Sequence, residues 1–142
     1  QFPHLHHHAI IVGYGRVGSC IGEGLKHMNI PFVVLENRKE LVEKLREEGE
    51  NALLGNAVGQ GLFESANIYT AIYLFVAIPG IFESGQLINR ARELNPHIEI
   101  VVHSHTEAEF EYLEKYGVNH FVRGEKEMQS GSLNFLHPSI NV

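Results

Sequence analysis

Short apolar runs alternate with amphipathic segments along this chain, and the two periods are easy to separate. Apolar runs at His8–Gly13, Phe32–Glu36, Ala52–Gly55, Ile72–Ile78, Ile98–His103 and Asn119–Arg123 predict six strands. Ile10-Ile11-Val12 and Phe32-Val33-Val34-Leu35 are apolar on both faces, as interior strands covered by helices must be. Between the runs, Arg16–Met28, Arg38–Glu48, Gly80–Leu94 and Glu107–Tyr116 carry helical spacing, with a shorter helical piece at Gly61–Ala66. Leu41, Val42 and Leu45 share one face of the second helix, and Phe110 and Leu113 one face of the last. Asn95-Pro96 stops the fourth, and Gly117 offers a C-cap to the fifth. A strict β-α-β alternation predicts an α/β fold, a doubly wound parallel six-stranded sheet in the order 3-2-1-4-5-6.

Composition narrows the class. A chain of 142 residues fits one domain and can bury a sizeable core without staples. Its single cysteine, Cys20, excludes a disulfide framework; it falls on the inner face of the first helix and reads as packing. The net charge of −6 argues against a nucleic-acid partner bound through its phosphates. No apolar run approaches the roughly 20 residues of a membrane span, and no signal peptide opens the chain. The chain starts at Gln1 rather than Met, which raises the expectation of a piece of something longer. Its expected organisation is a flexible segment over 1–7 with native histidines, one folded domain over 8–136, and a flexible tail over 137–142.

Candidate chemistry concentrates after the first strand. Gly13-Tyr14-Gly15-Arg16-Val17-Gly18 follows a strand, opens a helix and starts a unit that reaches its second strand by Phe32. A glycine string gains its meaning from that context. Gly13 permits the tight turn, Gly15 lets a pyrophosphate approach the backbone, and Gly18 lets helix and strand pack closely. The helix beginning near Arg16 offers unpaired N–H groups and the positive end of its dipole. Arg16 can add a guanidinium to a phosphate or to a neighbouring acid.

Glu36 ends the second strand, where a carboxylate accepts both ribose hydroxyls and repels a 2′-phosphate. That favours NAD or AMP over NADP, with Arg38 near enough to soften the choice. Asn37, also in the candidate binding set, reads first as an N-cap with Glu40 completing a capping-box-like pattern. At the other strand ends, Asn56 either meets an adenine or ribose edge or caps the following helix, and Ala77 and Ile78 form an apolar wall. His103 and His105 share a side of a strand, but the rest of a ligand set is missing, so no metal site is expected.

Four stretches together resemble the RCK (TrkA-N) family. They are Gly13–Gly18, Val34-Leu35-Glu36, Leu54-Gly55-Asn56-Ala57, and Gly117-Val118-Asn119, and the likeness covers about residues 8–128. The likeness is greatest to the cytoplasmic C-terminal domain of Kef-type potassium/proton antiporters, in particular the YbaL-type subgroup of cation/proton antiporters. This resemblance implies a Rossmann-fold regulatory domain that binds AMP or NAD(H) and pairs as a homodimer. It implies phosphate contacts from Gly13, Tyr14, Gly15, Arg16 and Val17, a ribose contact from Glu36, and adenine contacts from Asn56 and Ala57. It places pairing around Gly124–Met128, and it implies an N-terminally attached transmembrane antiporter domain and a place on the cytoplasmic face of the bacterial inner membrane. His103-Ser104-His105 stands where many members carry an Arg, which puts glutathione-type sensing in doubt, and Ser130-Gly131-Ser132 interrupts the pairing helix that the resemblance implies from Gly124 onward.

Two other readings fit the loop and the acid: the NAD-binding domain of a dehydrogenase, and a stand-alone RCK subunit of a potassium uptake system. Against the enzyme, no stretch is left over for a substrate domain and no acid, base and substrate clamp follow Ile78. Tyr112 and Lys115 are three apart, not the four of a Tyr-x-x-x-Lys dyad. The expected role is thus a regulatory ligand-binding domain with no catalytic residue.

Overall fold

The computed structural model describes residues 2, 4–59 and 61–123. β1 (Ala9–Val12) leads into α1 (Arg16–His27), β2 (Phe32–Glu36) into α2 (Lys39–Glu47), and β3 (Ala52–Leu54) into α3 (Leu62–Ser65) and a 3-10 turn, Ile68–Thr70. β4 (Tyr73–Val76), α4 (Ile81–Leu94), β5 (Glu99–Ser104), α5 (Glu107–Glu114) and β6 (His120–Arg123) complete the order. All neighbours in the sheet run parallel, in the order β3-β2-β1-β4-β5-β6, as the alternation of elements predicts. The expected pairing region from Gly124 onward, its Ser130–Ser132 interruption and the tail over 137–142 lie outside the described residues.

Side-chain alternation along each strand sends alternate residues to two separate cores. Ile10, Val12, Val33, Leu35, Leu74, Val76, Ile100 and Val102 face a layer built on Phe63, Leu87, Ile88, Ala91 and Leu113. Ile11, Val34, Phe75 and Val101 face Ile21 and Leu25 of α1 and Val42 and Leu45 of α2. Both faces of the sheet are covered, so the interior strands are apolar along their middles, and polar residues such as Glu36 and Ser104 fall at strand ends. Full burial of each such side chain stabilises the fold by about 1.5–3 kcal/mol. Phe110 is only half-buried, stacked on Phe121 at 4.6 Å.

Two polar clamps absent from the periodicity hold the layers in register. Buried Asn95 donates to the carbonyls of Ile68 and Ala71 and accepts from His97, so the residue that ends α4 also fixes the 3-10 turn. Arg92 donates to the carbonyls of Pro96, Ile98 and Gly117 and to Asn119 Oδ1, which in turn accepts from the Ile100 amide. The 3-10 turn itself carries no apolar period and is invisible to pattern reading.

The segment ahead of β1 is engaged with the body. Leu5 is buried, and its carbonyl accepts from Asn67 and Thr70, while the His7 amide donates to Thr70. His8 is fully buried, with Nε2 donating to the Ala66 carbonyl at 2.8 Å and no partner for Nδ1. Desolvation outweighs the Ala66 hydrogen bond, and repulsion from His6, His4 and His7 adds to it, so His8 ionises below the ordinary value of 6.5.

The unfolded chain therefore takes up this proton before the folded one does. Stability tied to His8 is complete above about pH 6.5 and drains away as pH falls from there toward the lowered native value. Denaturant midpoints of the natural chain should fall between pH 7.5 and 5.5, and His8→Gln should remove on the order of 1 kcal/mol of that fall. Identical pH profiles for the two proteins would contradict the burial of a neutral imidazole.

Candidate functional site

The carboxyl ends of β1, β2 and β4 lie level, with Val12 paired to both Leu35 and Val76. The chain leaves β1 through Gly13, whose amide extends the ladder by donating to Leu35 at 2.9 Å, and Gly55 does the same toward Glu36. A cleft of about 730 Å³ opens above these ends, lined by Gly13, Gly15, Glu36, Asn37, Arg38, Asn56, Ala57, Ala77 and Ile78 among others. It lies at the reversal of strand order between β1 and β4, where open α/β sheets hold ligands.

Glycine is demanded here by space. Gly13 has φ +91°, and a Cβ on it would come within 2.7 Å of the Ala77 carbonyl oxygen and 2.9 Å of Ile78 Cγ2. A Cβ on Gly18 would overlap the Gly13 carbonyl. At Gly15 the nearest atom to such a Cβ is Arg38 Nη2 at 3.8 Å, so that glycine keeps backbone open toward the cleft rather than toward the protein.

No side chain caps the N-terminus of α1, and no acidic residue lies in its first turn. The other four α-helices each carry a glutamate there, and α5 adds a full capping box from Thr106 and Glu109. Among the described helices, the one starting at the glycine loop is thus the one left open to an external anion.

Glu36 is the pivot of the site. It is 4% exposed. Oε1 accepts from the Tyr14 amide at 2.8 Å and from Arg38 Nη2 at 3.2 Å. Oε2 accepts from the amides of Asn37 and Arg38 and from Arg38 Nε, each at 3.0 Å. Burial pushes its carboxyl up, but the Arg38 guanidinium and the Tyr14 and Arg38 amides outweigh burial and hold it below the usual carboxylate range. Glu36 is therefore ionised at neutral pH.

The sequence-predicted residues divide into groups. Gly13, Gly15, Glu36, Asn37, Asn56, Ala57, Ala77 and Ile78 meet at the cleft. Arg16 and Val17 line an adjoining hollow of about 390 Å³, which shares Gly15, Ala77, Ile78 and Pro79 with the cleft and continues to His103, Ser104, His105 and Glu109. Tyr14 and Gly18 line neither. The Tyr14 amide donates to Glu36, and its ring packs on Gly22 of α1, so Tyr14 ties the loop down.

Two local readings need correction. Asn37 is not the N-cap of α2: that position is Arg38, without a side-chain cap bond, and Glu36 Oε2 satisfies both neighbouring amides. Bonds to so strong an acceptor hold the backbone of residues 37 and 38 in the turn that leaves β2, and the helix starts only beyond it. Asn56 is no helix cap either, because α3 starts only at Leu62; its Oδ1 holds a turn by accepting from Val58 at 2.9 Å.

His105 lies past the end of β5, yet its ring meets His103 edge-on at 4.6 Å. Among the described residues no group of three or more His, Cys, Asp or Glu could hold a metal ion. No helix there is long and apolar enough to cross a membrane. Arg38 lines the cleft and grips Glu36 through Nε and Nη2, and its place two residues after the strand-ending acid is the sequence signal for that contact.

The glycines give a paired test. Gly18→Ala should lower stability by about 2–3 kcal/mol in thermal or denaturant melts, since backbone must move. Gly15→Ala should shift it by less than about 1 kcal/mol. Equal losses at both positions would contradict this division of roles.

Residues 9–124 match the TrkA-N domain family. The chain is 41% identical to the cation/proton antiporter YbaL of Escherichia coli (strain K12), over 91% of this chain and 23% of that protein. It is 32% identical to potassium channel protein 1 of Methanocaldococcus jannaschii, over 83% of this chain and 36% of that one. The chain thus spans about a quarter to a third of the length of these curated relatives. The crystal structure of the TrkA-N domain of E. coli YbaL superposes with a TM-score of 0.81 at 40% identity, covering 93% of this chain and 98% of that one. The GsuK channel bound to NAD (TM-score 0.75, 19% identity, 84% of this chain and 22% of that one) shares the fold. So does the Shewanella denitrificans Kef C-terminal domain in AMP-bound form (0.71, 22%, 94% and 78%). With its sheet order, its glycine loop and its matched span agreeing, this chain belongs to the TrkA-N domain family.

Proposed function

We propose that this chain is the cytoplasmic nucleotide-binding regulatory domain of a cation/proton antiporter, and that AMP or NAD(H) occupies the 730 Å³ cleft. The observation that carries the reading is the open, acid-free N-terminus of α1 above a glycine loop, with a buried ionised acid at the end of the next strand. The amides of α1 hold the phosphates, Glu36 the ribose hydroxyls, and Ala57, Ala77 and Ile78 the apolar faces. The 41% identity to a cation/proton antiporter supports the transport context, and the AMP- and NAD-bound structures of the same fold support the ligand class.

The domain, taken as residues 8–136, pairs with a second copy and hangs from a membrane-embedded antiporter segment on the cytoplasmic side of a bacterial inner membrane. It acts by differential affinity: a nucleotide that binds one arrangement of the pair more tightly shifts the population toward it and biases the attached transporter. No bond is made or broken in this role. The residues gathered at the cleft bind and orient a ligand, and none is assigned a catalytic part.

Calorimetry with AMP, NADH and NADPH tests the ligand assignment. NADPH should bind several-fold more weakly than NADH, because Glu36 faces the 2′ position. Glu36→Gln should bring the two affinities within about twofold, removing roughly 1 kcal/mol of discrimination. Absence of binding by all three, or a ratio unchanged in Glu36→Gln, would overturn it.

A further inference from the structure

Both oxygens of Glu36 are already occupied. Three of the five hydrogen bonds come from main-chain amides of Tyr14, Asn37 and Arg38, which the fold holds in place. The remaining two come from one movable side chain: Arg38 Nη2 reaches Oε1 and Arg38 Nε reaches Oε2. A carboxylate offers about four acceptor positions, so nothing is left for a further donor. The three amides take one position on Oε1 and both on Oε2, so the position that Arg38 Nη2 fills on Oε1 is the one a ribose hydroxyl needs.

The same guanidinium lines the cleft and reaches toward the loop, with Nη2 3.8 Å from where a Gly15 Cβ would stand. Its side chain is 58% exposed against 4% for its partner, so it can swing into solvent while Glu36 cannot move. The three main-chain bonds remain and keep the carboxylate aimed.

Resting on the nucleotide assignment above, we infer that Arg38 is a built-in competitor for the ribose and sets the selectivity of the cleft. In this structure it holds Glu36. A nucleotide with a free diol must displace it, which weakens binding of that nucleotide. A 2′-phosphorylated nucleotide meets the cation instead of a bare carboxylate, which softens its exclusion. The cleft therefore discriminates less between the two classes than Glu36 alone would impose, and each binding event hands Glu36 from Arg38 to the ligand.

The test uses the whole chain with two probes, AMP and adenosine 2′,5′-bisphosphate, titrated into the natural protein, Arg38→Ala and Arg38→Met. Removing the competitor should tighten AMP about fivefold and weaken the bisphosphate about tenfold, widening their ratio about fiftyfold. Arg38→Met, which keeps the bulk of the side chain, should move both affinities in the same directions. AMP binding that weakens in both variants would mean that Arg38 grips the ligand, and unchanged affinities would make it a bystander; either overturns the inference. Failure of the underlying assignment looks different: the natural chain then binds neither probe, and Gly15→Ala changes nothing, which sinks both. AMP binding that Gly15→Ala abolishes, with no gain in the Arg38 variants, sinks this inference alone.

Discussion

The hydrogen bond from the Tyr14 amide to the Glu36 carboxylate joins the two parts on which the site depends. One is the loop where the chain leaves β1, and the other is the end of the neighbouring strand β2. Burying a charge at 4% exposure is unfavourable unless it is fully paired, and here the pairing comes mostly from fixed backbone. The acid thereby shapes the loop, and Arg38 together with the Tyr14 amide keeps the acid ionised. Gly13 and Gly18 complete the arrangement by letting β1, α1 and the Ala77–Ile78 turn approach at distances no side chain allows. The fold and the proposed binding chemistry thus share one interaction.

The site has an asymmetry that follows from where negative charge sits. Glutamates close the first turns of α2, α3, α4 and α5, so their dipoles are already compensated. α1 is left uncompensated, and its loop borders both the larger cleft on the Glu36 side and the adjoining hollow at His103 and His105. In that hollow Glu109 accepts from Ser104 and from the amides of His105 and Thr106, so its charge is spent on the turn. Its carboxyl is held below the ordinary range chiefly by the His105 amide.

The sheet was legible because period-two burial on both faces leaves continuous apolar runs, and β2 falls at Phe32–Glu36 as its run predicts. The glycine loop was legible because its residue types answer a steric demand at fixed spacing. What escaped was polar and three-dimensional. The Ile68–Thr70 turn is fixed by Asn95, 24 residues and more away, and no local pattern announces that. The bond from the Tyr14 amide to the acid joins residues 22 apart, which position in the loop does not announce. Asn37 has the residue type of a cap, yet α2 takes Arg38 at that position. Arg38 was visible as a charge near the ribose position, but its bidentate hold on Glu36 depends on a rotamer and a geometry that spacing alone does not fix.

The central claim is that an adenine nucleotide lodges between the start of α1 and the end of β2. Amide NMR of the isotope-labelled chain titrated with AMP tests it directly, because every contact named is a main-chain N–H or lies next to one. The account predicts saturable shifts concentrated at Gly15, Arg16, Val17 and Asn37, with smaller ones at Gly55 and Ala57. Shifts centred instead at the opposite end of the sheet, around Thr70 and His97, or no saturable shift at millimolar AMP, would contradict it.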